Sequence, residues 1–483
     1  MNARVMAAGG HSGGLSGGGG RAVSAPRFVS TRDPTCAAGF AEALEQGLAP
    51  DGGLYVPAAW PSLSPEALRG AESGGHESGG EALTSSEGLA RLAAAIVRPF
   101  AAGSVLAGDL PAIGQEAFSF GAPLVPLEPG GSLSVLELHH GPTAAFKDFG
   151  ARFLAASLAR LRARGGAART ATARGAPRPL TILVATSGDT GGAVAAAFHG
   201  RAGIEVAVLF PKGLVSPTQE RQLTCWGDNV RSFAVRGTFD DCQRLVKEAF
   251  LDRELAASRT LSSANSINLG RLLPQAVYYA AASLAIRRAH GQPASFVIPS
   301  GNLGNSLACL WARRLGLPIA NVVLAHNANR AVPDFLRTGT WSARPSIATL
   351  ASAMDVGNPS NLERLRSLCP ELDTLRGALS ADSVDDERIR ARIRAGFERY
   401  GQLWCPHTAT AAEVYERLPP SRRGDGPWVI VATAHAAKFR EIVEPLVGRS
   451  VRMPQALADL SARPTSCTEI AATLGSLRDA LGA

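Results

Sequence analysis

The chain lacks any run of the ~18 consecutive apolar residues that a membrane-spanning helix needs, so no span is predicted. It also lacks a CxxC pair. Its seven cysteines, Cys36, Cys225, Cys242, Cys309, Cys369, Cys405 and Cys467, are odd in number and far apart. That excludes a disulfide framework and a cysteine zinc site, and it points to a reducing compartment. Charged residues make up only 19% of the chain, and the arginines are scattered with no dense basic run. The net charge of +8 therefore suits an enzyme of anionic substrates better than a nucleic-acid binder. Residues 1–26 have no acidic residue and no continuous apolar core of a secretory signal. Their glycine excess predicts a disordered tail on a cytoplasmic protein, with a transit peptide for a plastid or other organelle as the alternative.

What is present is the material of a globular enzyme. Hydrophobic residues are 46% of 483, enough for a sizeable core, and domains of ~100–200 residues predict two or three units. Low-complexity stretches at Gly70–Glu87 and Arg162–Arg178 read as surface insertions. Between them stand short runs rich in β-branched residues: Thr181–Ala185, Val206–Phe210, Phe296–Pro299, Val322–Ala325 and Trp428–Ala432. These predict strands buried on both faces of a parallel sheet. Helical spacing separates them, as at Phe149, Phe153, Leu154, Leu158 and Leu161. Strand alternating with helix predicts an α/β fold with sites at the carboxyl ends of strands. The expected divisions are an N-terminal region over 27–130, a first α/β domain over 131–285 and a second over 286–483.

Four segments carry candidate chemistry. In FVIPSGNLGN (296–305) a strand runs into Gly301, Asn302, Leu303, Gly304 and Asn305 and then a helix. Converging backbone N–H groups and a helix N-terminus suit a phosphate, although an ordinary strand–helix turn reads the same way. TILVATSGDTGG (181–192) repeats the design with Ser187, Gly188, Asp189 and Thr190, a loop able to hold a carboxylate or a nucleotide. In HHGPTAAFKDF (139–149), Lys147 sits among Ala144, Ala145, Phe146 and Phe149. An apolar setting lowers a lysine's pKa and favours Schiff-base chemistry; a surface lysine paired with Asp148 is the plainer alternative. In WVIVATAHAAKF (428–439), Thr433 ends a strand, where its hydroxyl could bond a ring nitrogen or cap the strand.

Taken in this order, the segments resemble threonine synthase, a pyridoxal-phosphate enzyme family of the tryptophan-synthase-β fold. VSTRD and ALEQGLAPDGGLYVP within 28–57, PKGLVSPTQERQ (211–222), NSINLGRLLPQAVYY (265–279), HNANRAVPDFLRTG (326–339), AMDVGNPSNLERL (353–365) and PHTATAA (406–412) extend the resemblance over about residues 28–440. It implies two open, mostly parallel sheets with flanking helices (fold type II) and a mostly helical N-terminal region. It implies pyridoxal 5'-phosphate as cofactor, Lys147 as its Schiff-base lysine and catalytic residue, Gly301–Asn305 as its phosphate loop, and Thr433 facing its pyridine nitrogen. Ser187, Gly188, Asp189 and Thr190 would hold the substrate carboxylate. Lys212 and Arg271, with Arg330, are candidate cations for the substrate.

The implied reaction converts O-phospho-L-homoserine and water to L-threonine and phosphate. A phospho-lyase releasing 2-ketobutyrate and phosphate is the alternative, followed by a catalytically silent interaction homologue. Cys405 and AHAAKF depart from the family's usual residues without touching Lys147 or the phosphate loop. His407 and His435 are read as structural hydrogen-bonding histidines. The expected partners are a small-molecule substrate and, at most, a second copy in a homodimer, with no nucleic acid, membrane or metal.

Overall fold

A computed structural model describes residues 27–63, 66, 68, 81–165, 179–424 and 426–482. Its strands, in chain order, are β1 (Phe28–Ser30), β2 (Ala37–Ala38), β3 (Tyr55–Pro57), β4 (Leu124–Pro126), β5 (Leu133–Glu137), β6 (Leu180–Ala185), β7 (Ile204–Pro211), β8 (Val230–Arg236), β9 (Thr260–Ser263), β10 (Ala294–Pro299), β11 (Ile319–His326), β12 (Ser380–Ser383), β13 (Trp428–Ala432) and β14 (Thr468–Ala471). They form a three-stranded sheet ordered β2-β1-β3, a six-stranded sheet ordered β12-β11-β10-β13-β5-β4, and a five-stranded sheet ordered β14-β8-β7-β6-β9. The two larger sheets are parallel throughout except for the antiparallel edge pair β4–β5. This is the expected pair of mostly parallel sheets in an α/β fold.

Both faces of these sheets are covered, which is why their strands read as unbroken apolar runs rather than alternating ones. Along β10, Phe296 and Ile298 point into the largest buried cluster while Val297 points into a second. The largest cluster also holds Ile182 and Val184 of β6 and Phe149, Phe153 and Leu154 of the helix Lys147–Ala163. The helix thus shares one core with strands of both sheets, and each fully buried aromatic or leucine contributes about 1.5–3 kcal/mol of apolar transfer.

The sheets do not follow a single cut at residue 285. β4 and β5 precede it yet complete the sheet of β10–β13, and β14 near residue 470 extends the sheet of β6–β9. Parallel strands add wherever an edge is open, so sequence order does not fix sheet membership. The N-terminal region adds the small antiparallel sheet of β1–β3 to the helices expected there. Of Gly70–Glu87, residues 70–80 lie outside the described residues. The rest is not a surface insertion: Glu81–Thr84 form a helical turn with Ala82, Leu83 and Thr84 buried. Ala-Leu-Thr brings apolar surface that the preceding Gly/Ser stretch lacks. Residues 1–26 and 166–178 likewise lie outside the described residues, whereas Arg162 and Ala163 close the helix that begins at Lys147. No helix among the described residues is long and apolar enough to cross a membrane.

Candidate active site

β10, β13 and β5 are neighbours in the six-stranded sheet and run parallel. Their carboxyl ends therefore emerge side by side, and they lead into the Ser300–Asn305 turn, Thr433 and the loop before Lys147. β6 of the other sheet delivers Thr186–Thr190 to the same space. The result is a cavity of about 1530 Å³ lined by Lys147, Asp189, Asn305, His407 and Thr433 among others.

The lysine is held from behind. The loop between β5 and Lys147 is stitched to β13 by Leu138 N–H to Ala432 O (2.9 Å), Phe146 N–H to Thr433 O (2.9 Å) and His435 N–H to Ala144 O (3.0 Å). Asp148 closes the loop internally, accepting from Thr143 N–H at 2.9 Å and Thr143 Oγ1 at 2.7 Å. Asp148 is thus buried and committed within its own loop, not paired with Lys147 on a surface. The Lys147 Nζ lies 4.9 Å from the Phe146 ring centroid and 3.5 Å from Asp189 Oδ2, with its side chain 15% exposed. Burial lowers its pKa, against the opposing pull of Asp189 and with the help of Lys438 and Arg271.

Asp189 is the centre of this wall. It meets Lys438 Nζ at 2.7 Å and accepts from Gln219 Nε2 at 2.9 Å. Burial works against its ionisation, but the ammonium groups of Lys438 and Lys147 outweigh it and hold the carboxyl well below the usual carboxylate range. Lys438 is fully buried and also donates to Thr143 O at 2.9 Å, tying the lysine loop to the Asp189 loop. Sequence reasoning overlooked Lys438. Its only signal was a lysine in an otherwise apolar AHAAKF stretch.

The opposite wall is a glycine turn. A Cβ at Gly301 would lie 2.7 Å from Met354 Cα, so the backbone there packs where only glycine fits. Leu303 takes φ 61°, a left-handed turn that opens directly into the helix Gly304–Arg314. Asn305 Oδ1 accepts from Tyr278 Oη (2.6 Å) and Tyr279 Oη (2.8 Å), which leaves its Nδ2 buried without a partner. Behind the turn, Ser360 N–H donates to Asn302 Oδ1 (2.6 Å) and Asn361 Nδ2 to Asn302 O (3.0 Å). Arg364, fully buried, braces Asn361 at 2.9 Å and the carbonyls of Tyr55, Ser266 and Ile267; burial lowers its pKa to about 9. Asn361 and Arg364 were legible only as part of a longer motif.

The remaining expected residues divide. Ser187, Asp189, Thr190, Arg271, Thr433 and Gly301–Asn305 line the cavity, whereas Gly188 stands just behind it at φ 129°, against the Gln219 side chain. Arg271 is buried, donates to Ala264 O and to Lys147 O (3.4 Å), and leaves its Nε unpartnered. Lys212 and Arg330 are not brought to the cavity: each is half-exposed and paired, with Glu469 and Asp334 respectively. Both follow strand ends, but their side chains turn toward nearby carboxylates. His407 lines the cavity, its Nε2 accepting from Ala353 N–H (3.1 Å), and burial lowers its pKa to about 4. His435 Nδ1 accepts from Ala437 N–H (3.1 Å). Both histidines are engaged in structural hydrogen bonds.

Comparison with known proteins agrees with this geometry. Family profiles match as threonine synthase N terminus over 27–118, pyridoxal-phosphate dependent enzyme over 120–434 and threonine synthase C-terminal over 408–481. The threonine synthase of Haemophilus influenzae is 38% identical over 86% of this chain and 90% of its own length. That of Escherichia coli is 35% identical over 94% of this chain and 98% of its own. The crystal structure of the Escherichia coli enzyme superposes with a TM-score of 0.82 at 35% identity, covering 94% of this chain and 99% of that one. A pyridoxal-phosphate-bound threonine synthase from Brucella melitensis gives 0.81 at 34% identity, over 94% and 98%. The chain belongs to the threonine synthase family of pyridoxal-phosphate-dependent enzymes.

Proposed function

We propose that this chain converts O-phospho-L-homoserine and water to L-threonine and phosphate, with Lys147 as the residue that carries the cofactor and moves protons. The observation that carries the reading is the Lys147 amine, which faces the cavity beside Asp189 with its charge disfavoured by burial. The residues fit pyridoxal phosphate. The glycine turn and the N-terminus of the helix Gly304–Arg314 suit its phosphate, the orphan Nδ2 of Asn305 supplies a further donor, and Thr433 lines the same cavity just past the strand that lies between β10 and β5. Bound there, the cofactor supplies an electron sink for charge developing at the substrate Cα.

The chain's own groups account for the rest. Lys147, once free, takes the proton from Cα and then one from Cβ, whose electron pair forms a Cβ–Cγ double bond as it expels phosphate from Cγ. A proton returned to Cγ shifts the double bond to Cα–Cβ, and water then adds its hydroxyl at Cβ and a proton at Cα. Asp189, ionised and fixed by Lys438 and Gln219, orients the Lys147 amine. Arg271, whose Nε has no protein partner, serves the anionic substrate, with Ser187 and Thr190 offering hydroxyls to its carboxylate.

The test is an assay of phosphate, threonine and 2-ketobutyrate together, on protein supplied with pyridoxal phosphate and O-phospho-L-homoserine. Equal phosphate and threonine, both lost in Lys147→Ala, are expected. Phosphate with ketobutyrate and little threonine would overturn the reading.

A further inference from the structure

Outside the cavity, three donor side chains meet where β5 gives way to the lysine loop. Glu137 is the last residue of β5, and His139 and His140 follow it. Each offers one ligand atom, and these atoms lie within 4.8 Å of one another. His140 Nε2 stands 2.7 Å from Glu137 Oε2. His139 Nδ1 is buried with no hydrogen-bond partner. The His435 ring packs edge-on against His139, centroids 5.2 Å apart, and its Nδ1 is already engaged by Ala437 N–H. None of the three donors lines the active-site cavity.

A buried imidazole nitrogen without a partner is costly unless something fills the space before it. Neutral imidazole is the form that binds metal. Two imidazoles and one carboxylate favour zinc and its first-row neighbours over calcium or magnesium, which take mostly oxygen ligands. Zinc bound at about 2.0–2.2 Å needs its ligand atoms closer than they now stand. His140 is 42% exposed, so its side chain has room to rotate toward the other two donors.

We propose that Glu137, His139 and His140 form a binding site for one divalent transition ion of the zinc class, distinct from the active site and seated at the root of the loop that carries Lys147. The ion replaces the hydrogen bond between Glu137 and His140 and staples the end of β5 to the start of that loop. The loop's far end is already held by the Ala145–Ala434 bridge and by His435 N–H on Ala144 O, so a bound ion would fix both of its ends.

The experiment is calorimetric titration of the chelator-stripped, full-length protein, loaded with pyridoxal phosphate, with zinc chloride. One ion per chain is expected. His140→Ala and His139→Phe, the latter keeping an aromatic ring in place, should each abolish it. Glu137→Gln, nearly isosteric and the safest for folding, should weaken binding by more than the about 10–100-fold that loss of an outer-sphere partner costs. Cys467→Ser, which removes an exposed thiol elsewhere, should leave zinc binding unchanged. Absence of binding up to millimolar zinc, binding that survives all three site substitutions, or binding that disappears with Cys467→Ser would each overturn the proposal.

Discussion

Lys438 Nζ lies 2.7 Å from Asp189 Oδ1 although Lys438 has no solvent exposure and Asp189 only 3%. A buried ion pair is a poor source of net stability, but removing one partner strands the other charge. Lys438→Met should therefore cost about 3–5 kcal/mol in urea denaturation, tempered by the Lys147 and Gln219 contacts that Asp189 keeps. The double variant Lys438→Met with Asp189→Asn should recover most of that loss. A double variant no more stable than the single one would show that the pair is not coupled as described.

Gly301→Ala probes the glycine turn. Its new Cβ would stand 2.7 Å from the Met354 backbone, so one segment has to move. The expected penalty is the about 1–3 kcal/mol of an overpacked site, read as weaker binding in a titration of the apoprotein with pyridoxal phosphate. Unchanged affinity would mean that the turn does not hold the cofactor's phosphate.

Asn305 separates binding from stability. Asn305→Asp keeps an acceptor for Tyr278 and Tyr279 but replaces the unpartnered amide donor with a carboxylate oxygen. Cofactor affinity should fall steeply and thermal stability much less. Asn305→Leu should lower both, since the buried Tyr279 hydroxyl then loses its partner at about 1–3 kcal/mol, while Tyr278 keeps Gln275 Oε1.

His326 sets a pH dependence. Burial alone lowers its pKa to about 3, and its Nε2 has no partner. The unfolded chain protonates this residue near pH 6.5 while the folded chain refuses the proton. Its contribution is thus complete above about pH 6.5 and is lost as the pH falls toward 3, with a slope of about 1.4 kcal/mol per pH unit. His407, at about 4, acts in the same direction. Asp355, raised to about 7 by burial, opposes them by binding a proton in the folded state. The comparison is therefore between variants: His326→Phe should flatten the stability profile between pH 6 and 4.5 by roughly one histidine's slope. Parallel profiles would refute it.

Much of the site was readable because its chemistry rests on backbone-dictated residues. Gly301 marks a turn position that no other residue fits, and Lys147 stands out as a cation amid Ala144, Ala145, Phe146 and Phe149. The core strands were readable for a related reason. Trp428–Ala432 coincides with β13, and the other four predicted runs fall inside longer strands, because burial on both faces leaves a solid apolar run. β12, with the sequence Ser-Ala-Asp-Ser at a sheet edge, and β14, Thr-Glu-Ile-Ala, leave no such trace. Lys438 and Arg364 were illegible as buried groups, since a cation's burial depends on partners such as Asp189 and the Tyr55 carbonyl that lie far away in sequence. Lys212 and Arg330 misled for the converse reason: a motif position says nothing about which carboxylate a long side chain finds first.

The insertion of β13 between β10 and β5 also dictates when the site can exist during synthesis. A nascent chain that has emerged only as far as residue 427 carries Lys147 and the glycine turn on strands with no shared neighbour. It exposes the unpaired side of β5 as an open edge, a hazard for misassembly. Only when Trp428–Ala432 slots into that gap do the lysine loop and the phosphate turn come into register. Capture of the cofactor is therefore a late event, after nearly nine-tenths of the chain has been made, and it reports that the wedge strand has arrived.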